Sequence, residues 1–374
     1  MRFFNVCFIF VFVSMLAMPL VFVDLSSDRI SVAENRILAN RPLLSDLKNH
    51  PGTFIRQFDD WFKDSTGFRE KLLVIYKAVN ENKRLNNVCY TLGQTVYLMG
   101  EKGHHFYANN DLITKFQGKK FLSDEQLSGM AEKLEEVKRY LGEKGIPLAV
   151  MFCTDKESVY PEYYPKSIIR GPEPIQLDII TNYLQENTSV DIFNIRQALV
   201  AEKDKYISYQ VSLGDLTHYN QTGAFFAYRE LMKHINIYFP EIIPYKPDDI
   251  EISYDEKEIP DVKLKSGFTY QRLDSSFFDD VDVYRPFTWE NHAYVNTDQN
   301  LPVILFLCDS YAQEYFIGKY FAQQFGRALF IHFCNISNIQ EYINLFNPDI
   351  VVFESAERQL DPFADSVIGI SELP

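Results

Sequence analysis

PVILFLCDSY, residues 302–311, is an unbroken apolar run that stops abruptly on Asp309 and Ser310. A run apolar on both faces and bounded by Pro302 predicts a strand buried on both sides, the situation of a strand in a parallel sheet covered by helices. The pattern recurs in IPLAVMFCT (146–154), TSVDIFNI (188–195), ALFIHFC (328–334) and DIVVFES (349–355). Helical periodicity lies between these runs, near 175–186, 311–325 and 338–345. Ser123 with Gln126 has capping-box spacing and opens a long amphipathic helix to about Gly142. Strands alternating with helices imply an α/β fold, a doubly wound parallel sheet with helices on both faces. Reactive groups in such sheets collect beyond the carboxyl ends of the strands, and Ser310 falls at that edge.

With 374 residues and 46% hydrophobic content, the chain can bury the core of one large domain, with or without an appendage. A formal charge of −14 excludes nucleic acid or an anionic lipid surface as the main partner, because both require a basic footprint. Aromatic residues make up 15% of the chain, which supplies rings both for packing and for stacking on sugars. Of the cysteines, Cys7 lies in an apolar segment, while Cys89, Cys153, Cys308 and Cys334 have neither CxxC nor metal-like spacing. Adjacent His104 and His105 in a turn make a poor metal pair. Neither a metal nor a cofactor is expected.

Residues 3–23 carry no charge and follow Arg2. At about 1.5 Å per residue they span a hydrocarbon core of roughly 30 Å. Residues 1–23 therefore read as a single-pass transmembrane signal anchor, favoured over a cleaved signal because no A-x-A site follows. The rest of the chain is expected on the extracytoplasmic side of the cell membrane. Residues 24–93 read as a helical stalk or collar, in which Phe54, Phe58, Trp61 and Phe62 recur at helical spacing, and residues 94–374 as the catalytic domain. TVYLMGEKGHHFYAN (95–109) reads as a hairpin turning at Gly100–Gly103. Residues 241–300 break the α/β rhythm and read as an inserted β-rich flap.

GDLTHYN (214–220) places Asp215 three residues before His218, ahead of a helix beginning near Asn220. A carboxylate there can hold one imidazole nitrogen while the other faces a hydroxyl; with Ser310 this is the logic of a nucleophile, a base and an orienting acid. A lone Ser at a strand end is equally a helix cap. A helix after Ser310 would aim N–H groups at a developing oxyanion. The final strand delivers Glu354, Glu357 and Arg358 to the same edge, where Arg358 either binds an anion as a fork of donors or pairs internally with Glu354 or Glu357. Tyr311, Asn220 and Lys156 are further candidates for substrate or oxyanion contact. Trp289, with Tyr284 and Phe287 in the flap, suits a sugar face or a hairpin minicore.

The motifs ENRILANRP (34–42), FDDWFKDSTGFREKL (58–72), FCTDKESVYPEYYP (152–165), GDLTHYN, CDSY (308–311) and NPDIVVFESAER (347–358) occur in this order. The ordered set resembles the SGNH-hydrolase-like proteins of alginate and other exopolysaccharide O-acetylation systems, the alginate O-acetyltransferase-like or DHHW type. The resemblance implies an extracytoplasmic O-acetyltransferase that modifies an exported polysaccharide through an acetyl-Ser310, with a multi-pass membrane O-acyltransferase as donor partner. Three departures stand out. Cys308 replaces the usual Gly and adds a side chain near the oxyanion site, Asp215 precedes His218 by three residues instead of two, and Tyr219 stands where Trp is common. A carbohydrate O-acetylesterase and a non-catalytic glycan-binding assembly subunit remain open readings.

Overall fold

The computed structural model describes residues 23, 30–31, 36–43, 45, 47, 51–66, 89–92, 95–109, 111–212, 214–255, 259–267, 270–273, 291–313 and 317–374. Two compact units divide between Val96 and Tyr97. In the first, helix α1 (Pro51–Ser65) lines up Phe54, Phe58 and Phe62 one turn apart, with ring centroids 6.1 and 6.2 Å from Phe58. Asp64 accepts the Ala39 N–H at 2.9 Å, tying the ENRILANRP segment to that helix. The expected anchor at 1–23 lies, apart from residue 23, outside the described residues. Among the described residues no helix is long and apolar enough to cross a membrane.

The second unit begins inside strand β1 (Thr95–Met99), whose residues Tyr97–Met99 pair antiparallel with β2 (His105–Tyr107) in a hairpin at the position its glycines mark. Helix α2 (Asp124–Gly142) starts on the full capping box: Ser123 Oγ accepts the Gln126 N–H at 3.2 Å and Gln126 Oε1 accepts the Ser123 N–H at 3.1 Å. The chain then winds through β3 (Leu148–Cys153), α3 (Gln176–Asn187), β4 (Asp191–Asn194), α4 (Arg196–Glu202) and α5 (Gln221–Ile235). A two-stranded ladder follows, β5 (Ile250–Tyr254) with β6 (Pro260–Leu264). Further along come β7 (Tyr270–Leu273), β8 (His292–Asn296), β9 (Val303–Cys308), α6 (Ile317–Gln324), β10 (Arg327–His332), α7 (Ile339–Phe346), β11 (Ile350–Ala356) and α8 (Leu360–Ile368).

The main sheet has the order β7-β8-β10-β9-β11-β3-β4. Its five strands from β10 to β4 are parallel, and the five apolar runs of the sequence are those five strands. Side chains alternate across them. Leu305, Leu307, Val351, Phe353, Val150 and Phe152 face a core shared with α2, α3, α7 and α8. Phe306 faces the other way, its ring 5.1 Å from Phe321 of α6 and 4.6 Å from Phe330.

The sheet is mixed, which corrects the all-parallel expectation. β8 pairs antiparallel with β10, and β7 antiparallel with β8. Part of the segment read as an inserted flap is therefore an extension of the main sheet. Without β8, the outer backbone groups of β10 would form an open edge, and β8 supplies their partners. Alternating polar and apolar residues fit such an extension as well as a detached hairpin, so the pattern could not separate the two. Residues 274–290, with Trp289, Tyr284 and Phe287, lie outside the described residues.

Candidate active site

Three neighbouring parallel strands, β9, β11 and β3, end side by side. Apolar side chains fill their middles, and polar groups take over at the last residues. Asp309 stitches two of the strand ends together: its N–H donates to Glu354 Oε2 at 3.1 Å, and its carboxylate accepts the N–H groups of Tyr311 and Ala356, each at 2.8 Å. Ser310 opens a single helical turn, Ser310–Gln313, and its side chain is half-buried, so the hydroxyl is both held and reachable.

The facing loop comes from GDLTHYN. Gly214 has φ +80, a conformation that costs glycine nothing, and the chain then folds tightly on Asp215. Asp215 Oδ1 accepts from the Thr217 N–H (2.7 Å), the Thr217 hydroxyl (2.6 Å) and the His218 N–H (3.3 Å), an Asx-type turn. Its second oxygen lies 2.8 Å from His218 Nδ1. His218 Nε2 in turn lies 2.8 Å from Ser310 Oγ. With the imidazole proton on Nδ1, Nε2 is an acceptor for the Ser310 hydroxyl proton. The loop runs into α5 through Asn220, and Gly223 lets the helix approach the preceding segment at Ser208: a Cβ there would stand 2.5 Å from the Ser208 carbonyl oxygen.

Beneath the loop lies a buried polar floor. Arg358 Nη1 donates to Asp155 Oδ1 at 2.8 Å and to the Thr217 carbonyl, and it lies 3.2 Å from the Tyr311 hydroxyl. That hydroxyl lies 3.0 Å from both Asp155 Oδ1 and the Thr217 carbonyl. Glu357 accepts from Thr154 Oγ1 (3.1 Å), the Asp155 N–H (3.0 Å) and Ser158 Oγ (2.9 Å). Burial, with the Asp155 charge beside it, raises the Glu357 carboxyl to about 7. Burial also raises Glu157 and Glu354 well above the usual carboxylate range.

Ser310, His218 and Asp215 thus come together although His218 and Ser310 lie 92 residues apart in sequence. The other candidates sit differently from expectation. Asn220 is the cap of α5, its side chain accepting from the Thr222 and Gly223 N–H groups at 3.0 and 3.1 Å and donating to the Ile207 carbonyl at 2.7 Å. Lys156 is buried, its ammonium held by the carbonyls of His105 (2.6 Å), Gln210 and Val211 (3.1 Å) instead of entering the cleft; burial lowers it to about 7. Tyr311 and Arg358 lie in the floor, and the ion pair of Arg358 is with Asp155, neither Glu354 nor Glu357. The N–H groups of Tyr311 and Ala312 are taken by Asp309, its carboxylate and its carbonyl respectively, so they do not form the expected oxyanion cradle. The Cys308 thiol is fully buried and not open to the cleft; burial, then the charges of Glu354 and Asp309, push it up. Asp155 and Thr217 were missed. Asp155 sits two residues past the end of β3, behind Thr154, and no local pattern singles it out. Among the described residues no group of three or more His, Cys, Asp or Glu is arranged to hold a metal ion.

The model of the family described as "SGNH hydrolase-like domain, acetyltransferase AlgX" matches residues 98–315, more than half of the chain. The protein belongs to that family. A DHHW family protein from Eubacterium siraeum is similar in fold at 12% identity, with 75% of this chain and 96% of that chain covered and a TM-score of 0.50. PatB1 of Bacillus cereus is similar at 14% identity, with 71% and 97% covered and a TM-score of 0.50. At these identities the likeness shows the SGNH-like α/β fold alone. No curated protein matches the chain.

Proposed function

We propose that this protein is an O-acetyltransferase that acetylates hydroxyl groups of an exported or cell-surface polysaccharide on the extracytoplasmic face of the membrane. The reading is carried by the hydrogen-bonded chain from Ser310 Oγ through His218 to Asp215, in a member of an acetyltransferase family. Ser310 Oγ attacks the acetyl carbonyl while its proton passes to His218 Nε2. The tetrahedral intermediate collapses, the leaving group takes that proton, and acetyl-Ser310 remains. A sugar hydroxyl then gives its proton to His218 and attacks the acetyl carbon, which returns Ser310 to its hydroxyl form. Asp215 accepts the Nδ1–H throughout and stabilises the imidazolium. The residues that keep their expected roles in this scheme are Ser310, His218 and Asp215. The N-terminal apolar segment would tether the enzyme, and a multi-pass membrane acyltransferase would supply acetyl groups.

The test uses purified full-length protein in detergent with p-nitrophenyl acetate, with and without oligosaccharide acceptors. Acetyl-Ser310 should be seen by mass spectrometry, and Ser310→Ala should abolish both it and turnover. His218→Ala should slow acylation by about 10⁴-fold or more. Full activity in both variants would dismiss the assignment. Release of acetate at the same rate with and without every acceptor would favour the esterase.

A further inference from the structure

The base-bearing loop must hold His218 Nε2 within hydrogen-bonding reach of Ser310, and misplacement by about 1 Å is enough to lose that bond. The bonds from Asp215 to Thr217 and His218 fold the loop on itself, but they do not set its height above Ser310. The Thr217 carbonyl, immediately before His218, points down into the floor, and there it meets Arg358 Nη1 and the Tyr311 hydroxyl. Both of those groups also face Asp155 Oδ1. Two N–H protons and one O–H proton therefore face two acceptors, so each donor proton has an acceptor. Asp155, Tyr311 and Arg358 follow the ends of β3, β9 and β11 respectively, so the sheet itself sets where the Thr217 carbonyl lies.

We propose that Arg358, Asp155 and Tyr311 form a latch that acts through the Thr217 carbonyl to fix His218 over Ser310. Arg358 is then a positioning residue for the base, acting through Nη1. Its guanidinium is packed in place, 4.8 Å from the Tyr311 ring centroid and 5.2 Å from that of Tyr107, and its Nη1 is already committed. Nη1 could reach a developing oxyanion only by leaving both the Thr217 carbonyl and the carboxylate of Asp155, which is buried. The inference rests on the acyl-transfer reading of Ser310.

Phenylmethanesulfonyl fluoride, which reports the nucleophilicity of Ser310, is the kinetic probe, used on the full chain in detergent across a pH series. In the unmodified protein the rate of sulfonylation should rise with pH and then level off, as a reaction through a positioned general base does. Arg358→Ala should be slower by about 10²–10⁴-fold, the contribution of a positioned general base, and its rate should climb with hydroxide without levelling. Tyr311→Phe keeps the packing and should shift in the same direction by a smaller factor. An Arg358→Ala protein that is uniformly slower but levels at the same pH would overturn the latch, because that is the behaviour of a lost oxyanion donor. Unchanged rates in Tyr311→Phe would remove Tyr311 from it and overturn it as stated.

A second readout needs no turnover. The low-field proton resonance of the His218–Asp215 bond should persist in Ser310→Ala and vanish in Arg358→Ala, with folding of each variant checked by circular dichroism. Persistence in a folded Arg358→Ala protein also overturns the proposal. If Ser310 reacts with no acyl or sulfonyl donor in the unmodified protein, the acyl-transfer reading fails, and the resonance still decides on the latch.

Discussion

Phe306 and Arg358 are about equally hidden from water, at 0% and 7% exposure, yet opposite means hold them there. Phe306 sits mid-strand among Phe321 and Phe330, where area and packing decide and no partner is obligatory. Arg358 follows the end of the adjacent strand, where each buried polar group needs a named partner and loss of one strands another. The same strands thus provide a generic core in their middles and a specific polar scaffold at their carboxyl ends. Stability should reside mainly in the first region and reactivity in the second.

The largest stability effect should therefore come from the middle. Phe306→Ala removes a buried ring and is expected to cost about 3–5 kcal/mol in denaturant unfolding. The rate of Ser310 acylation per folded molecule should stay near that of the unmodified protein. A rate per folded molecule that fell as far as in Arg358→Ala would erase the distinction between the two regions.

The difference between the regions also explains what the sequence disclosed. Mid-strand runs such as VILFLC and IVVF announce themselves because burial on both faces leaves no polar position, and the Ser123 capping box is a local rule obeyed locally. Ser310 and the Asp215–His218 pair were legible because a strand end and a D-x-x-H loop each carry chemistry in a short stretch. The floor was not. Asp155, Arg358 and Tyr311 lie in three separate segments, and only the strand order brings them together. Charged residues normally lie outside, so no local pattern marks Asp155 as buried. The antiparallel attachment of β8 was hidden for a related reason, since half-buried alternation does not say which strand lies beside it.

A smaller effect should appear in the pH dependence of stability. Burial raises Glu357 from 4.5 to about 7, so the folded protein keeps a proton that the unfolded chain releases between those values. Stability should therefore fall as pH rises through that window, and the full penalty is present above about 7. At about 1.4 kcal/mol per unit the contribution is at most about 3 kcal/mol. Glu357→Gln mimics the protonated side chain: its amide oxygen can accept from Thr154 and Asp155, and its NH₂ can face the Ser158 hydroxyl. The variant should match the unmodified protein near pH 4.5 and exceed it above pH 7, as measured by urea unfolding at a series of pH values. Burial raises Glu157 too and contributes a fall of the same sign, which the variant keeps. Parallel stability curves for the two proteins would mean that Glu357 is ionised in the fold.

The smallest effect tests whether a polar residue close in sequence to the base belongs to the reactive edge at all. Asn220 follows His218 by two positions, yet its side chain is spent on the first turn of α5 and on the Ile207 carbonyl. Loss of a cap of this kind costs about 0.5–2 kcal/mol, so Asn220→Ala should lower the unfolding free energy by about that amount. Because Asn220 is buried and its amide is engaged through both its oxygen and its nitrogen, KM for an oligosaccharide acceptor should not change, and neither should the rate of Ser310 sulfonylation. A several-fold rise in KM at unchanged stability would move Asn220 into the binding surface and place the boundary between scaffold and site one helical turn further along the chain.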